Sequence, residues 1–147
     1  MIDLLTILAI VLFAAAAMSD LRWRRIPNMI PCALAALGLL RLAILAPGWA
    51  SSGLELAIAL AIFTLGAAAF HRGLLGGGDV KLLAAGGVWL GADAVASFLL
   101  LTALAGGILA LVWIMRRSFA PPICAEAAAL PYGVAIAAGG ILAMTFH

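Results

Sequence analysis

Charge is scarce in this chain. Of its 147 residues 10% are charged, 67% are hydrophobic, and the mean hydropathy is +1.28. A soluble globular domain is about half apolar and about a quarter charged. The shortage excludes an ordinary soluble fold, and no stretch is polar enough to form a separate soluble domain. The formal charge of +2 says little by itself, and no nucleic-acid partner is expected. Cysteine is equally scarce. Cys32 and Cys124 stand apart in apolar surroundings, and no CxxC or Cys/His cluster accompanies them. That excludes a zinc site of the usual ligand spacing. The two thiols read as small apolar residues at helix ends, with a disulfide as the alternative. No metal and no organic cofactor is indicated. Positive charge is also missing ahead of the first apolar segment, where Asp3 stands instead. A secretory signal needs a basic start. Segment 2–18 ends in a cleavage-like run, Ala14-Ala15-Ala16-Ala17. It nevertheless reads as an uncleaved transmembrane helix.

Long apolar runs account for the rest of the chain. After the first run come Arg22, Arg24 and Arg25, which the positive-inside rule places in the cytoplasm, with the N-terminus outside. Pro27 and Pro31 mark the start of the second helix, where a missing N–H does no harm. It extends to 45, with Arg41 near its outer end and free to snorkel. Trp49 suits the outer interface, Ser51-Ser52-Gly53 a short external loop, and Glu55 the start of a third helix over 55–70. His71 and Arg72 return the chain to the inner face. A fourth helix is expected over 74–90, an external turn at Gly91-Ala92-Asp93, a fifth over 94–115 and a last over 127–146. Arg116, Arg117, Pro121 and Pro122 fall in the loop between the last two. The expectation is an all-α integral membrane protein. It is a single domain over 1–147, a bundle of about six transmembrane helices with both termini outside. Arg22, Arg24, Arg25, Arg72, Lys81, Arg116 and Arg117 then share the inner side, while Asp3, Glu55 and Asp93 share the outer. The arginines serve as topology anchors on anionic lipid. Gly86-Gly87, Gly106-Gly107 and Gly139-Gly140 are expected where helix backbones approach closely.

Two carboxylates stand out against this background. Asp79 closes the stretch Gly76-Gly77-Gly78-Asp79-Val80-Lys81, and Asp20 ends the first apolar run. An acid at the edge of a greasy segment costs free energy and needs a reason. The topology brings both to the cytoplasmic boundary. Two carboxylates in contact cannot both ionise easily, so such a pair shares a proton. One then acts as general base on a water while its protonated partner polarises a carbonyl. The glycines let a substrate backbone come close. Plainer roles stay open. Asp79 can cap a helix after the glycine loop, and Asp20 can pair with Arg24, four residues on. Lys81 either snorkels or tunes the field of the site. His71 reads as interfacial.

Three stretches together carry a resemblance. They are Asp20-Leu21-Arg22-Trp23-Arg24-Arg25-Ile26-Pro27-Asn28, Gly76-Gly77-Gly78-Asp79-Val80-Lys81-Leu82, and Leu130-Pro131-Tyr132-Gly133-Val134-Ala135. In these the chain resembles the type IV prepilin peptidases, bacterial relatives of the GxGD intramembrane aspartyl proteases. The resemblance implies that Asp20 and Asp79 are the catalytic pair. It implies as substrate a prepilin or pseudopilin whose short basic leader is cut at the cytoplasmic face of the bacterial inner membrane. It further implies partners in pilus assembly or secretion. Gly76, Gly78, Lys81, Pro131, Tyr132 and Gly133 are then expected to position the substrate. Longer members carry a CxxC-containing insert after the first span, and many also methylate the new N-terminus. Here Asn28 passes straight into a helix, so the resemblance carries the peptidase and leaves methylation open. The short form is most similar to peptidases of Flp, or tight-adherence, pili. Two readings compete with a peptidase. One is a transporter or channel that uses Asp20 and Asp79 as ion sites. The other is a structural partner of a secretion machine.

Overall fold

Runs of Leu and Ala without internal proline favour helix, and in lipid only a helix satisfies its own backbone. The computed structural model describes residues 4–45, 48–118 and 131–146, and they form five α-helices. These are α1 (Leu4–Trp23), α2 (Met29–Leu45), α3 (Trp49–His71), α4 (Gly77–Ser118) and α5 (Tyr132–Phe146). Leu4–Trp23, Trp49–His71 and the Gly77–Met115 part of α4 are long and apolar enough to cross a membrane. Met29–Leu45 and Tyr132–Phe146 are shorter apolar helices.

A straight helix of 39 residues, the length of Gly77–Met115, would reach about 58 Å, roughly twice a bilayer's hydrocarbon core. α4 is not straight. It breaks at Gly91, whose φ of 76° and ψ of 179° are not helical. A Cβ there would lie 3.1–3.2 Å from the Glu55 carboxylate, so only glycine fits both the backbone angle and the space. Beside the break, Arg41 donates to the carbonyl of Trp89 at 3.1 Å and stacks 5.9 Å from its ring. Arg41 therefore turns into the bundle instead of snorkelling outward, because the interrupted helix leaves a carbonyl in need of a donor.

The core is built by inserting aromatic rings against glycines. Phe13 and Phe98 are fully buried and meet edge to face at 6.3 Å. Phe13 fills the space a Cβ would take at Gly140, Phe98 that at Gly86, and Gly139 lies on the backbone of Thr102. Ile62 lies against Gly87. Gly107 faces open space and Gly106 makes only ordinary contact with Tyr132, so that pair does not bring backbones together. α4 packs on α2, α3 and α5, and α1 packs on α2 and α5. Around this core the surface stays apolar, with Leu60, Leu65, Leu100, Ile108 and Leu111 all exposed. Such a surface needs lipid or protein to cover it.

Three boundaries differ from the sequence reading, one being the start of α4, which falls at Gly77 and not at 74. α1 continues past Met18 through Asp20 to Trp23, because the Asp20 side chain finds a partner on another helix. α3 starts at Trp49, so Trp49, Ser51, Ser52 and Gly53 are helical and not a loop. One glycine costs a helix about 1 kcal/mol, which the Leu- and Ala-rich run around Gly53 offsets. Cys124, Pro121, Pro122 and the start of the last expected helix lie outside the described residues, as do the side chains of Arg116 and Arg117.

Candidate functional site

Asp20 occupies the last turn of α1 and is 7% exposed. Its Oδ2 accepts the Gly133 N–H at 2.8 Å, a buried bond across 113 residues of sequence. Gly133 stands in the first turn of α5, where backbone N–H groups have no partner within the helix. The helix supplies what the carboxylate needs. The fit is close, since a Cβ on Gly133 would lie 2.9 Å from that oxygen.

Asp79 occupies the first turn of α4. The preceding chain leaves α3 through a tight C-terminal turn. Gly73 has φ +71°, its N–H bonds the Phe70 carbonyl at 2.9 Å, and the Leu74 N–H bonds the Ala69 carbonyl at 3.0 Å. That turn lets the glycine run approach α4 from the same end of the bundle. The Val80 N–H closes on the Gly76 carbonyl at 3.1 Å, and the Asp79 carboxylate accepts the Gly76 N–H in return. With glycine at the N-cap only the N3 half of a capping box forms, in which the Asp79 carboxylate satisfies the Gly76 N–H. It does not hide the acid, which remains partly exposed.

Both carboxylates face one cavity of about 280 Å³. Arg24, Arg25 and Ile26 bound it on the side of the α1–α2 connection, and Gly76 and Gly78 bound it on the other. Asp20 lies close enough for its charge to act on Asp79, and Arg24 adds a positive charge beside Asp20. Helix ends thus bring together two acids 59 positions apart (79 − 20). Such a pair can hold one proton between its members and carry out acid–base chemistry on a polar group placed in the cavity. Among the described residues no three His, Cys, Asp or Glu side chains converge as a metal would require.

The remaining candidates divide. Gly76 and Gly78 line the cavity, and both lack space for a Cβ. At Gly76 it would lie 2.7 Å from the Asp79 Oδ2, and at Gly78 3.0 Å from the Ile26 Cβ. Lys81 points to Asn28, its Nζ 2.8 Å from the amide oxygen, and does not line the cavity. Tyr132 packs on Gly106 and lines a separate apolar cleft of about 440 Å³ together with Leu75 and Thr102. The Pro131 carbonyl accepts the Val134 N–H at 3.2 Å as α5 begins. Arg22 stacks 5.2 Å from the Trp23 ring, and Arg72 is exposed where α3 ends. Sequence reasoning missed Ile26, which touches both glycine backbones beside the acids. Its only signal was its place between the arginines and Pro27.

A sequence model described as the type IV leader peptidase family matches residues 7–111, a stretch that includes both acids. Two curated proteins from two strains of Burkholderia pseudomallei, each named prepilin leader peptidase/N-methyltransferase, are similar to this chain. Each is 42% identical over 74 residues, or 49% of this chain and 22% of the relative. The matched stretch thus spans about a fifth of those relatives. No solved structure matches. The resemblance read from the three motifs is borne out: the chain belongs to the type IV leader peptidase family.

Proposed function

We propose that this protein is an intramembrane aspartyl endopeptidase that removes the short basic leader of type IV or Flp prepilins. The observation that carries the reading is the shared cavity, which Asp20 and Asp79 both line, each near the end of an apolar helix. One carboxylate takes a proton from water as the water attacks the scissile carbonyl. Its protonated partner hydrogen-bonds the carbonyl oxygen as negative charge develops there. The proton then passes to the leaving amine. The Gly133 N–H steadies Asp20, and the Gly76 N–H steadies Asp79. Gly76 and Gly78 keep side chains out of the way of an unwound substrate backbone. Tyr132 lines the neighbouring apolar cleft, a place where the pilin's apolar segment can lie.

Cleavage takes place at the cytoplasmic face of the inner membrane. The chain crosses that membrane about six times with both ends outside, counting the two halves of α4 and the two shorter helices as spans. Arg22, Arg24, Arg25 and Arg72 then lie on the side of the site and hold anionic lipid. The substrate is a prepilin or pseudopilin presented by pilus assembly or secretion machinery. An ion path would hold its acids near the middle of the bilayer. Both acids here lie at helix ends, so that reading gains no support.

Co-expression with a pilin precursor tests the assignment. Asp20→Asn and Asp79→Asn are each expected to slow processing by at least about a hundredfold, the scale of a lost acid–base group. Processing at the wild-type rate by either variant would remove that aspartate from the mechanism.

A further inference from the structure

Ile26 lies in the short connection between α1 and α2, and its surroundings are unusual for a loop residue. Its Cβ is where a Gly78 side chain would begin, with only 3.0 Å between the two positions. Its Cδ1 reaches within 2.8 Å of the position a Cβ would take on Gly133. Gly78 immediately precedes Asp79, and Gly133 donates the N–H that holds Asp20. One β-branched side chain therefore touches both backbone pieces to which the acids are tied. The connection is fixed on either side of it. Ser19 Oγ donates to the Arg25 carbonyl at 2.8 Å, and Lys81 Nζ donates to the Asn28 amide oxygen at 2.8 Å. Pro27 removes one backbone rotation in between. A branched side chain has few rotamers, so a residue held this way acts as a rigid spacer.

We propose that Ile26 is a positioning residue that sets the separation between the Asp20 and Asp79 carboxylates by wedging between Gly78 and Gly133. Lys81 acts through the same connection by holding Asn28. The proposal rests on the reading of Asp20 and Asp79 as a working pair. Ile26 neither donates nor accepts a proton. Its effect falls on geometry, and misplacing a reacting group by about 1 Å can cost about a hundredfold in rate.

The test uses the full chain in membrane vesicles and has two readouts. The first is the kinetics of pilin-precursor cleavage by Ile26→Ala and Ile26→Val. Ile26→Ala, which loses everything beyond Cβ, is expected to lower kcat at least about tenfold with KM within about twofold. Ile26→Val, which loses only the methyl that reaches Gly133, is expected to lower kcat by about threefold. The second readout does not need activity. Cysteines replace Asp20 and Asp79 in a chain with Cys32→Ser and Cys124→Ser, and bifunctional thiol reagents of graded span are applied. The preferred span is expected to change when Ile26→Ala is added. If Ile26→Ala fails to accumulate, the same shift, smaller, is expected with Ile26→Val. Wild-type kcat in both variants, a rise in KM alone, or an unmoved span preference would each overturn the spacer role. Active Asp→Asn variants would sink the catalytic assignment instead, and the cross-linking result would still decide whether Ile26 spaces the two positions.

Discussion

Asp20 shows how little of a side chain's setting can be read from its neighbours in sequence. Arg22 and Arg24 follow it within four residues, yet its buried hydrogen bond comes from the backbone of Gly133. The glycines follow the same logic. Gly76, Gly78 and Gly133 were legible as a flexible backbone for substrate. The structure gives each a narrower reason, since a Cβ would strike Asp79, Ile26, or Ile26 and Asp20. Gly77 differs, because its Cβ would rest 3.4 Å from the Phe70 ring. Alanine at positions 76, 78 and 133 is therefore expected to reduce precursor cleavage by at least about tenfold, through displaced carboxylates. Gly77→Ala is expected to do far less. Cleavage rates normalised to protein amount check this, and equal losses at all four positions would refute the contact argument.

Among the helices, α4 is the one whose shape carries most information. An interruption near Gly91-Ala92-Asp93 was legible, but the expected three-residue turn is a break at Gly91 alone, with Ala92 and Asp93 helical. What the break is made of was not legible. Gly91 holds a positive φ against the Glu55 carboxylate, and Arg41 satisfies the carbonyl of Trp89. Gly91→Ala meets both a left-handed backbone and a filled space. It is expected to destabilise the bundle by about 1–3 kcal/mol, seen as a lower midpoint of thermal unfolding in detergent. A midpoint equal to wild type would mean that the break can relax. α1 and α3 were each found by their apolar runs and misjudged at one end. Asp20 reads as a stop only when Gly133 is out of sight. Trp49 reads as an interface residue whether or not it is helical, so the start of α3 had no clear marker.

Taken together, the described helices expose many large apolar side chains and gather Asp20, Arg24, Arg25 and Asp79 around one cavity, with Arg41 and Glu55 at the Gly91 break. The proposed count of about six crossings predicts that the two ends of α3 lie on opposite faces. Single cysteines at exposed Trp49 and His71, in a chain with Cys32→Ser and Cys124→Ser, test this with an impermeant maleimide. Trp49→Cys is expected to label from outside intact cells, and His71→Cys only after permeabilisation. Labelling of both from one side would refute the count.

Composition alone determined that the chain folds as helices in an apolar solvent. In lipid a backbone closes its hydrogen bonds within helices or closed barrels, and the long unbroken apolar runs fit helices, not alternating barrel strands. The motifs around Asp20 and Asp79, both inside the stretch the family model matches, made the family legible. Tertiary structure decided what each motif residue touches. It placed Gly133 on Asp20, Lys81 on Asn28, and Ile26 between two glycines. Those contacts join residues 52 to 113 positions apart (78 − 26 and 133 − 20), and local pattern carries no record of distances across a bundle.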